Sequence, residues 1–278
     1  DAPADWRRRR GCTHQRRLRA RLSPVGPLQR RLRCRRTGAE SSSLLAFHPR
    51  PLDPAGVADF VAWANTEKPD IVLDLGDRIT DVDKQTDMRL QREVAEIFAE
   101  LDAPVQHLCG NHDRDNLSVG ENAEILRTGL DNTVIDLGGW QLAVWRADTK
   151  FTYHETNAGF VLPEADLRWL SQMTQQADKP TLIASHIPFS GHSQIGNYYF
   201  ERNAEYSTYP QSQRIRAAIA QARVPLACIA GHVHRNTVTT IDGIPHLTQQ
   251  SLTECFTTGG EPAHAWGLLK LGSKLEWQ

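Results

Sequence analysis

The sequence predicts an α/β fold in which two sheets of mixed strand direction share one domain. The first observation is the alternation of apolar strand patterns with amphipathic helix patterns from residue 43 to about residue 108. The second is a hairpin pattern in the middle of the chain, and the third is a group of further strands near its end. No repeat and no linker divides these segments, so we expect them to fold together.

The first group of elements predicts a parallel sheet with helices packed on it. A short strand is followed by a helix that begins at Pro54, and proline is well tolerated in a first helical turn. A buried strand, a helix with apolar residues at helical spacing and another strand come next. In chain order the predicted ranges are 43–47, 54–68, 71–75, 91–101 and 104–108.

The second group begins with a hairpin at residues 132–147, in which Gly138-Gly139 forms the turn. Two helix–strand pairs follow it, and the remaining segments between residues 236 and 271 predict an antiparallel meander. The helix–strand pairs comprise a helix at 162–173, a strand at 181–185, a helix at 211–222 and a strand at 225–230.

The first 42 residues differ from the rest of the chain in charge. Residues 1–36 contain 13 arginines and two acidic residues, whereas residues 37–278 contain 19 basic and 31 acidic residues. We predict that residues 1–42 form an arginine-rich, poorly structured extension and that residues 43–278 form the functional domain. The extension is the one segment that could bind nucleic acid, since the domain itself is acidic. A targeting segment and out-of-frame translation of a GC-rich gene are alternative interpretations of the extension.

Several functional classes lack support. No stretch of 18 apolar residues occurs, so no transmembrane helix is expected. The five cysteines are widely spaced and form no C-x-x-C pair, which argues against a structural zinc site and favours a reducing, cytoplasmic location. The nucleophile elbow of serine hydrolases, the P-loop and the dinucleotide-binding glycine pattern are also missing.

Four short signatures carry the predicted chemistry, and each one follows an apolar strand pattern. Any one of them alone is more often a turn or a satisfied polar residue than a metal site. Together they would place carboxylate, amide and imidazole ligands at the carboxyl edge of one sheet, as a two-metal site requires. The signatures are Gly76-Asp77, Gly110-Asn111-His112-Asp113, Ser185-His186-Ile187-Pro188 and Gly231-His232-Val233-His234.

In this order the signatures resemble those of the calcineurin-like metallophosphoesterase superfamily. Its pattern is D-x-H, G-D-x-x-D/N, G-N-H-D/E, H and G-H-x-H, and the resemblance covers residues 44–278. It implies two mixed β-sheets packed face to face and flanked by helices. It also implies hydrolysis of phosphate esters by a metal-activated water, in a protein similar to small bacterial phosphodiesterases.

The resemblance also implies a role for each residue. Asp77 would bridge two metal ions, with Asn111, His186 and His232 completing one site. His48 and His234 would serve the other site. His112 would act beside the scissile phosphate, Asp113 would orient it through a hydrogen bond, and Asp81 would support the loop.

Mixed carboxylate, amide and imidazole ligands suit Mn, Fe, Co, Ni or Zn better than Mg or Ca. The first signature is incomplete, because Ala46 stands where the resemblance expects a metal-binding aspartate two residues before His48. Either one metal site is weakened, which would leave a catalytically impaired scaffold, or another group fills the gap.

The substrate is expected to be a small phosphoester, with a phosphodiester favoured over a phosphomonoester. Residues 197–211 are rich in aromatic side chains and include Tyr198 and Tyr199. These two tyrosines are candidates for binding a base or an aryl group of the substrate. The alternative is an irregular loop that is packed by its own aromatic rings.

Overall fold

The structure, a computed structural model, describes residues 20–22, 42–47, 54–152 and 159–278. Within these ranges, two six-stranded sheets pack face to face and helices cover their outer faces. The predicted α/β sandwich is therefore confirmed. No helix in the described ranges is both long enough and apolar enough to cross a membrane.

The first sheet has a parallel half and an antiparallel half. Strands β2 (Ser42–Phe47), β3 (Ile71–Asp74) and β4 (Val105–His107) are parallel. On the other side of β2, the sheet continues with antiparallel strands β11 (Trp266–Leu271), β12 (Leu275–Trp277) and β1 (Ala20–Leu22). Strand β1 lies within the predicted extension, most of which falls outside the described residues, as does His48. The predicted boundary at residue 42 therefore stays a prediction.

Helices α1 (Pro54–Glu67) and α2 (Lys84–Phe98) pack their apolar faces on the outer side of the first sheet. Helix α2 begins seven residues before the predicted start at residue 91. The reason is a cap that the hydrophobic pattern does not show, because the Asp83 carboxylate accepts the N–H of Thr86 at 2.9 Å.

The second sheet is parallel in its centre and antiparallel at both edges. Its central strands are β6 (Trp140–Val144), β7 (Thr181–Ser185), β8 (Leu226–Ala230) and β10 (Ile244–Thr248), and its edge strands are β5 (Thr133–Leu137) and β9 (Thr237–Ile241). Helices α5 (Glu164–Gln176) and α6 (Ser212–Ile219) cover its outer face.

The predicted C-terminal meander is confirmed for β9 and β10 and wrong for the strands beyond them. Strand β10 is antiparallel to β9 but runs parallel to β8, and β11 belongs to the first sheet. Burial explains this arrangement, because the second half of β10 is buried and pairs on both sides, whereas β9 exposes alternate residues as an edge strand does. Two short helices, α3 (Asn111–Asp115) and α4 (Val119–Leu126), were also not predicted.

The main core lies between the two sheets. Leu44 and Leu73 from the first sheet meet Leu142 and Leu182 from the second, and all four are fully buried. This packing brings the carboxyl ends of β3 and β4 close to those of β7 and β8. All four signatures therefore meet at one edge of the sandwich.

Candidate metal centre and active-site cavity

The loops after β3 and β4 interlock through two glycines. A Cβ atom on Gly76 would lie 2.5 Å from the backbone nitrogen of Gly110, and Gly76 has a φ of +90° that disfavours other residues. A Cβ atom on Gly110 would lie 2.6 Å from Cγ of Asp77, which is well inside van der Waals contact. Both positions therefore require glycine, and the close approach holds Asp77 at the edge of the sheet.

Asp113 ties these two loops together. Its carboxylate accepts hydrogen bonds from the backbone N–H groups of Asp77 at 2.9 Å, Arg78 at 2.9 Å and Gly110 at 2.8 Å. The guanidinium of Arg78 lies 3.1 Å from the same carboxylate, and both side chains are fully buried. Asp113 thus fixes the backbone on either side of Asp77.

Arg78 continues this network below the site. Its Nη1 donates to Asp74 Oδ2 at 2.5 Å and to the Leu108 carbonyl at 2.6 Å. Asp74 Oδ2 also lies 2.7 Å from Nδ1 of His107. Burial alone would raise the pKa of Asp74, but the charge of Arg78 and the hydrogen bond with His107 hold it below its usual value. These buried side chains of opposite charge therefore support the two loops.

Asp77, His186 and His232 are all buried, and each offers a ligand atom within 4.8 Å of the other two. His186 Nε2 lies 3.4 Å from Asp77 Oδ2 and 3.3 Å from Asn111 Oδ1. Its Nδ1 lies 2.6 Å from the Leu75 carbonyl, which can only accept, so Nδ1 carries a proton. Nε2 is consequently the nitrogen that faces the carboxylate and amide oxygens, as a metal-binding histidine requires.

The hydrogen bond of His232 complements that of His186. Its Nε2 donates to the Tyr206 carbonyl at 2.8 Å, which leaves Nδ1 as the nitrogen that can bind a metal ion.

Burial alone would lower the pKa of His186, but the carboxylate of Asp77 raises it above its usual value. The site therefore favours positive charge, and its donor set fits a divalent transition-metal ion.

Three of the predicted ligands have a strained backbone. Asp77 and His232 both have a φ of +62°, and His234 has a φ of +54°. Side chains other than glycine rarely adopt this left-handed region, which costs about 1–3 kcal/mol per residue. Strain at the positions of the predicted ligands indicates that the fold holds their side chains in a required direction.

The structure corrects the expected partner of His112. Its Nδ1 lies 2.7 Å from Oδ1 of Asp81, whereas the carboxylate of Asp113 binds the backbone amides described above. The reason is local, because His112 and Asp113 are neighbours in helix α3 and point in different directions. Half-burial would raise the pKa of Asp81, but the hydrogen bond with His112 keeps it below its usual value.

Asp115 is a further acidic residue beside His112, and the sequence analysis did not single it out. Ligand atoms of Asp81, His112 and Asp115 lie within 4.8 Å of one another. Burial, together with the charge of Asp81, raises the pKa of Asp115 to about 6. A second carboxylate therefore stands next to the histidine that is predicted to act on the substrate.

The other half of the expected two-metal site is less complete. His234 lines the same cavity as Asp77 but belongs to neither of the two ligand groups. Ala46 is fully buried between the sheets, and its partner on β11 is Gly267. A Cβ atom on Gly267 would lie 2.5 Å from Gln249 Oε1 and closer still to Trp277 Nε1. Neither of these buried atoms has a hydrogen-bond partner among the described residues.

A cavity of about 1030 Å³ opens above Asp77 and His112. Tyr198 and Tyr199 line it and are exposed over 67% and 49% of their surfaces. Phe200 and Tyr209 from the same segment are buried, and the Tyr209 hydroxyl donates to the Asp148 carbonyl. The buried Tyr209 packs against Trp145 and Phe160 from outside the segment, whereas Tyr198 and Tyr199 face the cavity.

Comparisons with known proteins identify the family and the fold. The sequence profile of the family described as calcineurin-like phosphoesterase matches residues 47–236. No curated protein matches the chain. The fold is similar to that of a dimetal phosphatase from Danio rerio, with a TM-score of 0.66 and 16% identity over 83% of this chain and 93% of that one.

Two further solved structures share the fold. The protein TT1561 of Thermus thermophilus has a TM-score of 0.54 and 13% identity, over 85% of this chain and 98% of that one. GAP50, described as the anchor in the inner membrane complex of Plasmodium, has a TM-score of 0.52 and 13% identity, over 84% and 81% of the two chains. At these identities the similarity concerns the fold alone.

Proposed function

Because the chain belongs to the calcineurin-like phosphoesterase family, whose members hydrolyse phosphoesters with bound metal ions, we propose that it is a phosphodiesterase with two divalent transition-metal ions. Asp77, Asn111, His186 and His232 would hold one ion. Asp77 and His234, with His48, would hold the other. Two such ions would clamp the phosphate and supply an activated water.

His112 is the group that would assist departure of the leaving oxygen. The carboxylate of Asp81 accepts the Nδ1–H of His112, which orients the ring and leaves Nε2 as the nitrogen for the substrate. Asp81 therefore orients His112, while Asp113 supports the loops beneath it. Tyr198 and Tyr199 would contact a base or an aryl group of the substrate.

The proposed preference for a diester rests on the carboxylates of Asp81 and Asp115, which lie beside His112. A phosphomonoester has a charge between about −1.5 and −2 near pH 7, whereas a phosphodiester has a charge of about −1. Like charges repel, so carboxylates close to the reacting phosphate penalise the monoester more than the diester. The large cavity also leaves space for a second ester substituent.

A substrate comparison tests this proposal. The purified protein is loaded in turn with Mn, Fe, Co, Ni and Zn, and kcat/KM is measured for bis-p-nitrophenyl phosphate and for p-nitrophenyl phosphate. We expect the diester to be hydrolysed with a kcat/KM at least about tenfold higher, which corresponds to about 1.4 kcal/mol of transition-state stabilisation. A preference for the monoester with every metal would contradict the proposal.

Ala46→Asp should raise the metal content of the protein. A carboxylate at position 46 would supply the ligand that the predicted second site lacks. We expect the second ion, for which the unmodified protein lacks one carboxylate, to be held more tightly, so that more metal stays bound per chain when it is measured by mass spectrometry after dialysis. Ala46→Asn is the control of the same shape, and it should raise the content less because it lacks the charge. Two tightly held ions in the unmodified protein would show that another group already fills the gap.

A further inference from the structure

We propose that the cavity binds the planar aromatic group of its substrate, a nucleobase in the biological case, on the exposed outer face of the stacked pair Tyr198 and Phe256. The inference rests on the proposed phosphodiesterase function and specifies the substrate class. The preferred substrate would then be a phosphodiester that carries a nucleoside.

Tyr198 and Phe256 form one aromatic platform although they come from different loops. Tyr198 lies between β7 and α6, and Phe256 lies between β10 and β11. Their ring centroids are 3.5 Å apart and their planes differ by 6°, so the rings are stacked in parallel. Despite this contact, Tyr198 is 67% exposed and Phe256 is 41% exposed. Large apolar surface thus remains accessible at the opening of the cavity.

Because the two rings cover each other's inner faces, a flat ligand would extend the stack on an outer face of the pair. Nucleobases bind to aromatic side chains by stacking, and this mode does not depend on the identity of the base, because every base has a π-face. A flexible alkyl chain gains less from such a platform, since it has no planar face to match the rings. Further aromatic side chains line the cavity between the platform and His232: Phe151, Phe160, Phe200 and Tyr206.

The size and the position of the cavity support the same ligand class. Its volume of about 1030 Å³ is at the upper end of the range for pockets that enclose drug-sized ligands, so a phosphate group alone would leave most of it unfilled. Asp77 and His112 line the same cavity as Tyr198 and Phe256. A single ligand could therefore place its phosphate at the metal ligands and its base at the platform.

Calorimetric binding to the manganese-loaded full chain tests the inference, with adenosine 5′-monophosphate, ribose 5-phosphate and adenosine as probes. We expect the nucleotide to bind about tenfold more tightly than ribose 5-phosphate, because stacking of one base contributes roughly that factor or more. Phe256→Leu keeps an apolar side chain but removes the ring, so it should abolish most of this advantage while leaving ribose 5-phosphate affinity unchanged. Tyr198→Phe, which keeps the ring, should preserve the advantage.

Val238→Ala is the matched control, since Val238 is 42% exposed but lies on β9, outside the cavity. It should bind all three probes as the unmodified protein does. Equal affinity for the nucleotide and ribose 5-phosphate, or an advantage that survives in Phe256→Leu, overturns the inference. Hydrolysis of bis-p-nitrophenyl phosphate is measured on the same samples. If hydrolysis persists while the preference for the base is absent, only the inference fails. If hydrolysis is absent with every metal, the proposed function fails.

Discussion

Arg78→Met is expected to lower the free energy of unfolding by about 3–5 kcal/mol, because it leaves two buried carboxylates without their cation. Arg78 is fully buried and is paired with Asp74 at 2.5 Å and with Asp113 at 3.1 Å. Methionine fills a similar volume but cannot donate to either group or to the Leu108 carbonyl. Chemical denaturation followed by circular dichroism measures the effect.

Arg214→Met is the matched control for this experiment. Arg214 also pairs with a carboxylate, that of Glu164, but both side chains are more than half exposed. Exposed pairs of this kind contribute little, so the unfolding transition should stay close to that of the unmodified protein. Equal losses in the two variants would mean that the buried network is not what stabilises the loops of the site.

Gly110→Ala is expected to weaken metal binding and hydrolysis on the order of 100-fold, a loss comparable with that caused by removing groups that orient metal ligands. The added methyl group would overlap with the carboxylate and the backbone of Asp77, and neither can move without breaking hydrogen bonds to Asp113 or to the N–H of His112. Titration calorimetry with manganese and an assay with bis-p-nitrophenyl phosphate measure the two effects.

Gly120→Ala controls for the general effect of replacing a glycine. Gly120 lies in helix α4, and a Cβ atom there would meet only Ser118 Oγ at 3.9 Å. This variant should keep full metal affinity and activity and should gain about 0.5–1 kcal/mol in stability. Retention of metal affinity in Gly110→Ala would show that Asp77 can shift without loss, contrary to the close approach of the two loops.

The sequence predicted the sheets and the strand-end ligands because these depend on local patterns. Apolar strands such as Ile71–Asp74 are short and buried, and Asp77, Asn111, His186 and His232 follow such strands directly. The prediction that one sheet carries all of them is wrong, because Asp77 and Asn111 follow strands of the first sheet whereas His186 and His232 follow strands of the second. They meet because the two sheets pack face to face with these strand ends at the same edge. The structure places His186 Nε2 3.4 Å from Asp77 Oδ2 and 3.3 Å from Asn111 Oδ1.

Features that depend on tertiary contacts were not predicted. The stack of Tyr198 on Phe256 joins loops that are 58 residues apart, and no local pattern connects them. Asp81 rather than Asp113 contacts His112 because helix α3, which the sequence analysis treated as loop, sets the direction of both side chains. Asp74 did carry a signal, since an acid within an otherwise apolar strand requires a buried partner. The identity of that partner, Arg78, emerges only from the fold.

The metal content of three proteins tests the central claim that Asp77 and its neighbours hold the metal while Asp81 positions His112. Asp77→Asn, Asp81→Asn and the unmodified protein are loaded with manganese, dialysed and measured by mass spectrometry alongside kcat. The account predicts that Asp77→Asn loses its bound manganese and its activity. It predicts that Asp81→Asn keeps the metal of the unmodified protein and loses about 10²-fold or more in kcat. Full metal content in Asp77→Asn, or an equal loss of metal in Asp81→Asn, would contradict it.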